Sequence, residues 1–338
     1  MGTTLYKNAD WIITMNEKRE KIRHGDLLIS GKEILDVGTD LEKKYEGTLK
    51  IDHVVEAEGT VILPGFVNVH HHTWQSLIRN IQATRGLKLE PWLTVMYEIY
   101  KDLNTDVARA GVYSGLGDML KTGCTTSNDL WYPHPVGVKY LVDAEIEAAA
   151  EIGIRFHPTR GFHSVPSSIV PPEVVDTKES VVEDTIRLVK KYHDRSRFSM
   201  CQVGIAPSIA QYETEDIIEA VVDLAEEYDI MVHGHLAESQ HEVEYTLKTW
   251  GCRPFEWFKR HRLLGKRFYF AHCIHLNEEE IAQMAETGTG VAHCPISNML
   301  LSSGACPVPS YLEHGLTRIG LCVDGAASSN SSNMLEEI

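Results

Sequence analysis

Short apolar runs alternate with longer amphipathic segments along the chain from Lys121 onward. The short runs have the length of β-strands, and the longer segments repeat apolar residues at helical spacing, as in Thr214 to Tyr228. Another such segment opens with Asn277 and, three residues later, Glu280, which is the pattern of a helix-capping box. The apolar run that ends near Val69 is the first of eight predicted strands. The other seven are Thr125–Asp129, Ile154–Thr159, Met200–Ala206, Ile230–His235, Phe268–Ala271, Gly290–His293 and Arg318–Val323.

Eight strands, each followed by a helix, are the pattern of a (β/α)8 TIM-type barrel, which is an α/β fold with a parallel sheet. A doubly wound sheet is the competing interpretation, but no glycine-rich phosphate loop opens the first helix. The first sixty residues differ, because charged turns separate three strand-like stretches, Leu5–Met15, Gly25–Leu35 and His53–Leu63. We therefore predict a small antiparallel β domain over residues 1–60 and the barrel over residues 61–338.

Composition narrows the classes of protein and partner. Of the 338 residues, 43% are hydrophobic, so the chain can bury an extensive core. It has no run of about eighteen uncharged apolar residues and no signal-peptide layout, so we expect a cytoplasmic protein without a membrane partner. The formal charge of −16 disfavours nucleic acid as a partner. Seven cysteines without a C-x-x-C pair argue against a disulfide scaffold or a thiolate zinc knuckle. The sequence does not decide whether the chain forms a homo-oligomer.

Residues able to bind a metal stand at the ends of the predicted strands, where the active sites of such barrels lie. On an extended segment His70 and His72 point the same way, whereas His71 points to the other face and receives no ligand role. For this triplet alone, a solvated turn is the alternative. The full set is His70, His72, His235, His272, His293 and Asp324. Three imidazoles and a carboxylate form a ligand set suited to zinc.

Glu238 lies three residues after His235, in the loop that follows the predicted strand. A carboxylate at this place can face the reacting water without binding the metal, as a proton shuttle must. The alternative is a glutamate that the helix dipole favours at the start of the next helix. The metal-ligand candidates around it favour the proton shuttle.

Five short motifs carry these residues in order along the chain. They are Pro64–His72, His235–Glu238, Ala271–His275, His293–Asn298 and Val323–Gly325. As a set they resemble the successive motifs of the amidohydrolase superfamily, in its mononuclear branch of aminohydrolases and chlorohydrolases. The similarity is closest to the 8-oxoguanine and isoxanthopterin deaminases, through segments such as His71–Ser76 and Thr287–Pro295.

This resemblance implies one zinc or iron ion, with zinc preferred, held by His70, His72, His235 and Asp324. It also implies that Glu238 and His272 flank the attacking water. A divalent metal lowers the pKa of such a water toward about 7. Asp324 would accept the proton, His272 would stabilise the tetrahedral adduct, and Glu238 would protonate the ring nitrogen and the departing amine. We therefore expect a hydrolase that deaminates a heterocyclic base, of the 8-oxoguanine, guanine or pterin type, and releases ammonia.

Specificity is expected in the loops after the first strands. The candidate substrate contacts are Trp74 and Gln75, which can stack on a ring and pair with a lactam edge, and Arg160, Ser208 and His293. Structural packing is the alternative for Trp74, Arg160 and His293. Ser208 stands where the 8-oxoguanine deaminases carry a cysteine beside the 8-oxo group, so guanine, pterin and aminotriazine substrates stay open.

The chain ends fourteen residues after Asp324, whereas the family continues through an eighth helix. We expect a fragment in which the barrel is truncated after strand eight and the small β domain is incomplete. Two alternatives stay open: a triazine hydrolase that removes an alkylamine or a halide, and a non-catalytic metal-binding protein. Glu238 and His272 argue against the second, since a metal-storage site needs neither.

Overall fold

The computed structural model describes residues 2–338, which divide into two compact units. The first unit contains the residues up to Gly65 together with Ser196–Phe198. Its sheet is formed by β1 (Thr3–Ile13), β2 (Lys21–Ser30), β3 (Glu33–Gly38), β4 (His53–Glu56) and β5 (Val61–Ile62), with one short helix, α1 (Leu41–Lys44). The antiparallel prediction is confirmed for β1, β2 and β3. It is wrong for the third predicted stretch, His53–Leu63, which forms β4 and β5 and pairs parallel to β1. The connection through α1 allows this, because it returns the chain to the other side of β1.

The second unit is built around eight parallel strands that follow one another in chain order. They are β6 (Phe66–Asn68), β7 (Cys124–Trp131), β8 (Arg155–Phe162), β9 (Gly204–Pro207), β10 (Val232–Leu236), β11 (Phe268–His272), β12 (Gly290–His293) and β13 (Ile319–Leu321). The last strand meets the first: the Val69 amide donates to the Leu321 carbonyl at 3.4 Å, and His71 pairs with Asp324 in a parallel bridge. The predicted barrel is therefore confirmed, since a doubly wound sheet would reverse its strand order.

Helices connect the strands of the barrel. They are α2 (Leu89–Tyr100), α3 (Thr105–Lys121), α4 (Leu141–Ile152), α5 (Lys178–Tyr192), α6 (Glu215–Tyr228), α7 (Gln240–Trp250), α8 (Pro254–Arg260), α9 (Glu278–Thr287), α10 (Pro295–Leu300), α11 (Val308–Glu313) and α12 (Ala326–Ser329). Asn277 and Glu280 form the predicted capping box at the start of α9. Within residues 2–338, no helix combines the length and the apolar character needed to cross a membrane.

Two glycines of α3 allow the segment after β6 to lie directly against this helix. That segment, Thr73–Leu77, is a 3-10 helix. A Cβ atom on Gly111 would stand 2.9 Å from the Cα of Trp74, and one on Gly115 would stand 2.5 Å from the Ser76 Oγ. Only glycine permits so close an approach, so α3 fixes the position of the chain just after His72.

We predict that Gly111→Ala destabilises the protein by about 1–3 kcal/mol, because the new methyl group must displace backbone atoms. Gly117→Ala is the matched control on the same helix, since a Cβ there meets no heavy atom within 4 Å among the described residues. The control should gain about 0.5–1 kcal/mol from the helix propensity of alanine. Urea unfolding of both variants measures the two changes, and equal midpoints would contradict the close-approach argument.

Candidate metal centre and cavity

Three buried imidazoles converge at the carboxyl ends of the barrel strands. His70 and His72 follow β6, and His235 lies in β10. Each offers one nitrogen, and these three nitrogens all lie within 4.8 Å of one another. Burial lowers the pKa of each imidazole, so all three are neutral and able to bind a cation.

Backbone carbonyls determine which ring nitrogen carries the proton in two of these histidines. The Nδ1 of His72 lies 2.8 Å from the Leu130 carbonyl oxygen, and the Nδ1 of His235 lies 2.7 Å from that of Ser208. A carbonyl oxygen can only accept a hydrogen bond, so each Nδ1 bears the hydrogen and each Nε2 keeps its lone pair.

His233 determines in the same way which ring nitrogen of His70 carries the hydrogen. The Nδ1 of His233 donates to the Tyr269 carbonyl at 2.9 Å, so its Nε2 must accept. That Nε2 lies 2.7 Å from the Nδ1 of His70, which therefore donates. The Nε2 of His70 is left as a lone pair with no hydrogen-bond partner among residues 2–338. Sequence reasoning missed His233, although its position two residues before His235 places both rings on one face of the strand.

Asp324 completes the cluster from the end of β13. Its Oδ1 lies 3.3 Å from the Nε2 of His70 and 3.4 Å from that of His72. Its Oδ2 accepts hydrogen bonds from the hydroxyls of Ser297 and Ser328, at 2.5 and 3.0 Å. Burial would raise the pKa of this carboxyl, but the adjacent imidazoles hold it well below its usual range.

Three lone pairs and one carboxylate oxygen thus meet without a hydrogen between them, and this donor set fits a divalent cation. The fixed Nδ1 contacts are the kind that orient metal-binding histidines. A second grouping, His70 with His272 and Cys294, also has its atoms within 4.8 Å. Burial raises the pKa of the Cys294 thiol well above its ordinary value, which makes this second grouping the poorer site because a thiolate is needed to bind metal.

Glu238 and His272 lie beside the cluster, also at strand ends. The Nδ1 of His272 donates to the Asn298 side-chain oxygen at 2.9 Å, and its Nε2 lies 3.5 Å from the Glu238 Oε2. Burial raises the pKa of Glu238 to about 7, against an opposing effect of His272. Burial also lowers the pKa of His272, but Glu238, Cys294 and Asp324 together outweigh burial and raise that pKa well above 6.5. A proton is therefore readily held between these two side chains.

The backbone is strained at the same strand ends. Ala237, His272 and Asp324 all have positive φ angles, of 50°, 70° and 59°. Residues other than glycine rarely adopt this conformation, and it persists where the surrounding structure enforces it. The strain turns the chain so that the polar side chains face the cluster.

A small, partly open cavity of about 50 Å³ adjoins the cluster. The polar atoms of His72, His235, Glu238, His272 and Asp324 lie at one end. The rest of the wall is mixed. Its apolar and aromatic residues are Leu89, Trp92, Leu93, Tyr97, Tyr132, Ile209, Tyr212 and Leu301, and its polar residues are Gln75, Glu90, His163, Ser208, Gln211, Ser239 and Ser328. α2 supplies four of the apolar and aromatic residues and so forms much of the cavity wall beside the cluster.

Of the five predicted substrate contacts, Gln75 and Ser208 line this cavity and three do not. Trp74 is fully buried and packs on Trp131, with the ring centroids 4.6 Å apart. Arg160 is buried in ion pairs with Asp176 and Asp184, at 2.9 and 3.0 Å, because a buried guanidinium needs such partners.

His293 ends β12 outside the cavity, and its carbonyl accepts the Cys322 amide. The geometry therefore does not support substrate contacts for Trp74, Arg160 and His293. Sequence reasoning also missed several lining residues, among them Tyr97, Tyr132, His163 and Gln211. An aromatic residue on a helix gives no sequence signal that separates a cavity wall from the core.

Comparison with known proteins agrees with this geometry. Residues 61–338 match the model of the amidohydrolase family. The chain is 36% identical to an 8-oxoguanine deaminase of Pseudomonas aeruginosa over 285 residues, which is 83% of this chain but 63% of that relative. It is 32% identical to a 5-methylthioadenosine/S-adenosylhomocysteine deaminase of Bacillus cereus, covering 99% of this chain and 73% of the relative.

A solved structure shows the same fold. The crystal structure of an atrazine chlorohydrolase from Arthrobacter aurescens TC1, complexed with zinc, superposes with a TM-score of 0.91 at 26% identity. The superposition covers 98% of this chain and 74% of that one.

We predict that the purified protein holds about one zinc or iron ion per chain and that His235→Ala loses most of it. The substitution removes one of three converging lone pairs. His314→Ala is the control, because this histidine lies on the surface, where it contacts only the Ser310 carbonyl and the exposed Glu278 among the polar groups of residues 2–338. Elemental analysis after exhaustive dialysis measures the metal content, and two tightly held ions per parent chain would contradict a single centre.

Proposed function

Because the chain belongs to the amidohydrolase family, we propose that it catalyses the hydrolytic deamination of a heterocyclic base and releases ammonia. The observation that carries the proposal is the placement of Glu238 and His272 beside the convergent donor set. A site that only stores metal needs neither a buried acid whose pKa is near 7 nor a histidine facing it.

His70, His72, His235 and Asp324 would hold one divalent ion, with zinc as the first candidate and iron as the second. When bound, such an ion acidifies water and polarises the carbon that is attacked. The four side chains suit this task because three are neutral and one is ionised.

The other steps belong to the protein's own groups. Asp324 accepts the proton of the attacking water at Oδ1, the oxygen that is free of the serine hydroxyls. His272 donates from Nε2 to the attacking oxygen, since its Nδ1 is already engaged by Asn298. Glu238, neutral at the start, protonates the ring nitrogen from Oε2 and becomes a carboxylate. It then receives the proton that Asp324 took from the water and passes it to the departing amine. When the C–N bond breaks and the ring carbonyl forms, the hydroxyl of the adduct returns a proton to Glu238.

The cavity favours a free base over a nucleoside. Its small volume and aromatic wall fit a flat ring better than a ring that carries a sugar or thio-sugar. The identity with the 8-oxoguanine deaminase supports an oxidised purine, a guanine or a pterin. Ser208 lines the cavity and can bond to a ring carbonyl through its hydroxyl.

Triazine hydrolysis is the second candidate, and the likeness to the atrazine chlorohydrolase structure is what favours it. The leaving group separates the two reactions. An amine must be protonated to depart, and Glu238 can protonate it, whereas a halide departs without a proton. The buried acid therefore supports an amine leaving group.

We predict ammonia release from at least one of 8-oxoguanine, guanine and isoxanthopterin, and much slower release from 5-methylthioadenosine. The nucleoside should react more slowly because the cavity is small and its aromatic residues suit a flat ring without a sugar. A glutamate-dehydrogenase-coupled assay for ammonia and an electrode for chloride, run on the same panel with atrazine added, measure both outcomes. Chloride without ammonia would favour the triazine reaction, and turnover of the nucleoside alone would overturn the free-base assignment.

We predict that Glu238→Gln binds metal normally but loses about 10²-fold or more in turnover, because glutamine keeps the shape and cannot donate the proton. Glu244→Gln on α7 is the matched control, since Glu244 is exposed. Parent-like turnover by the Glu238 variant at equal metal content would remove this residue from the mechanism.

A folding measurement completes the test of Glu238. In the unfolded chain this carboxyl ionises near pH 4.5, whereas in the metal-free folded protein burial raises its pKa to about 7. The folded state binds the extra proton between these values, so this group lowers stability as the pH rises from about 4.5 to about 7. Glu238→Gln lacks that loss, and its gain in melting temperature over the parent should grow across the same interval.

A further inference from the structure

Two fully buried carboxyl groups stand behind the candidate metal centre and take no part in the proposed reaction. Asp129 lies in β7 and Glu145 in α4, and both side chains are inaccessible to solvent. Thr73 contacts both: its amide donates to the Asp129 Oδ1 at 2.6 Å, and its hydroxyl donates to the Glu145 Oε1 at 2.5 Å.

The remaining oxygen of each carboxyl, Oδ2 of Asp129 and Oε2 of Glu145, receives no donor from residues 2–338. The two carboxyl groups meet at Thr73: burial raises the pKa of Asp129 to about 7, and burial together with the Asp129 charge raises the pKa of Glu145 well above its ordinary value. Two ionised carboxylates can only accept, so they would repel at such a contact. One proton between them turns the repulsion into a hydrogen bond and satisfies both orphaned oxygens.

Two neighbouring residues, Thr73 and Leu130, connect this pair to the candidate ligand His72. Thr73 directly follows His72, and Leu130 directly follows Asp129. The Leu130 carbonyl accepts from the His72 Nδ1 at 2.8 Å, and the Leu130 amide donates to the His71 carbonyl at 2.8 Å. Hydrogen bonds from the β7 segment therefore hold His71, the residue before His72, and Thr73, the residue after it.

We propose that Asp129 and Glu145 share a single proton and that this buried acid pair, acting through Thr73, positions His72 for metal binding. The pair consists of positioning residues, because neither touches the cavity. The positioning half of the inference rests on the proposed metal centre, whereas the shared proton does not.

Glu145→Gln and Glu145→Leu separate the two halves. Glutamine can accept from the Thr73 hydroxyl and donate its amide hydrogen to Asp129, so it replaces the shared proton. Leucine has a similar volume and does neither. Glu147→Gln and Glu147→Leu are matched controls, since Glu147 is exposed on the same helix.

The first readout is the infrared difference spectrum at neutral pH. The parent should show the carbonyl stretch of a protonated carboxyl that Glu145→Gln lacks and Glu147→Gln retains. Absence of this band from the parent-minus-variant spectrum would overturn the shared proton.

The second readout is zinc affinity, measured by competition with a chelator. Glu145→Leu should bind zinc about 10-fold or more weakly, the usual scale for groups that orient metal ligands, while Glu145→Gln stays close to the parent. Parent-like affinity in Glu145→Leu, or an equal loss in both variants, would overturn the positioning role. If Glu145→Leu fails to fold, Thr73→Val takes its place, because it removes the bridging hydroxyl and keeps the amide.

Neither readout uses turnover, so the two proposals fail in different ways. A parent that binds zinc and passes both tests but releases no ammonia contradicts the deaminase assignment alone. A parent that binds no zinc contradicts both the metal centre and the positioning role.

Discussion

The structure around the candidate centre depends on one constraint: four electron-rich atoms are held together in a buried space with no hydrogen among them. Three are imidazole nitrogens that present a lone pair, and one is the Oδ1 oxygen of Asp324. Burying each of these polar atoms away from water costs free energy, and the four atoms repel one another because they lie close together. The fold holds them there because strand ends converge and because Leu130, Ser208 and His233 hold the opposite ring nitrogens. A divalent cation is what turns this repulsion into binding.

The same dehydration prepares the acid–base groups. Burial lowers the pKa of the converging imidazoles and raises the pKa of Glu238 to about 7. One physical cause therefore yields neutral imidazoles in the candidate metal centre and a Glu238 carboxyl that keeps its proton up to about pH 7. The α2 side chains that line the cavity contribute to this burial, because greater exposure to water would return these pKa values toward their ordinary range.

The eight strands and the strand-end polar residues could be predicted from the sequence because both follow from local periodicity. A strand of period two determines which face a histidine occupies, and a barrel brings all strand ends together. That argument predicted that His70, His72, His235, His272, His293 and Asp324 would gather at one end of the barrel, and the structure brings all of them except His293 to the cavity or the cluster beside it. The selection of four ligands from this set came from the family resemblance. The strand-end argument could not place Arg160, which also ends a strand, because Asp176 and Asp184 come from segments far along the chain.

Contacts between helices and strands were beyond sequence reasoning for the same reason. The approach of Gly111 to Trp74 and the pairing of Asp129 with Glu145 depend on how α3 and α4 pack, which no local pattern encodes. Tyr97 on α2 has the spacing of a core residue, and only the fold shows that it faces the cavity.

The residues proposed for the reaction and those expected to select the substrate thus lie on different elements of the fold. The donor set and the acid–base pair stand on strand ends, where the barrel hydrogen bonds hold them rigidly. Much of the cavity wall comes from α2 and from the loop after β9, which can change sequence without disturbing the strands. A family built in this way can keep one hydrolytic centre and vary its substrate, as the deaminases and the chlorohydrolase among its relatives illustrate. The residues that decide this chain's substrate are therefore to be sought on α2 and that loop rather than among the metal ligands.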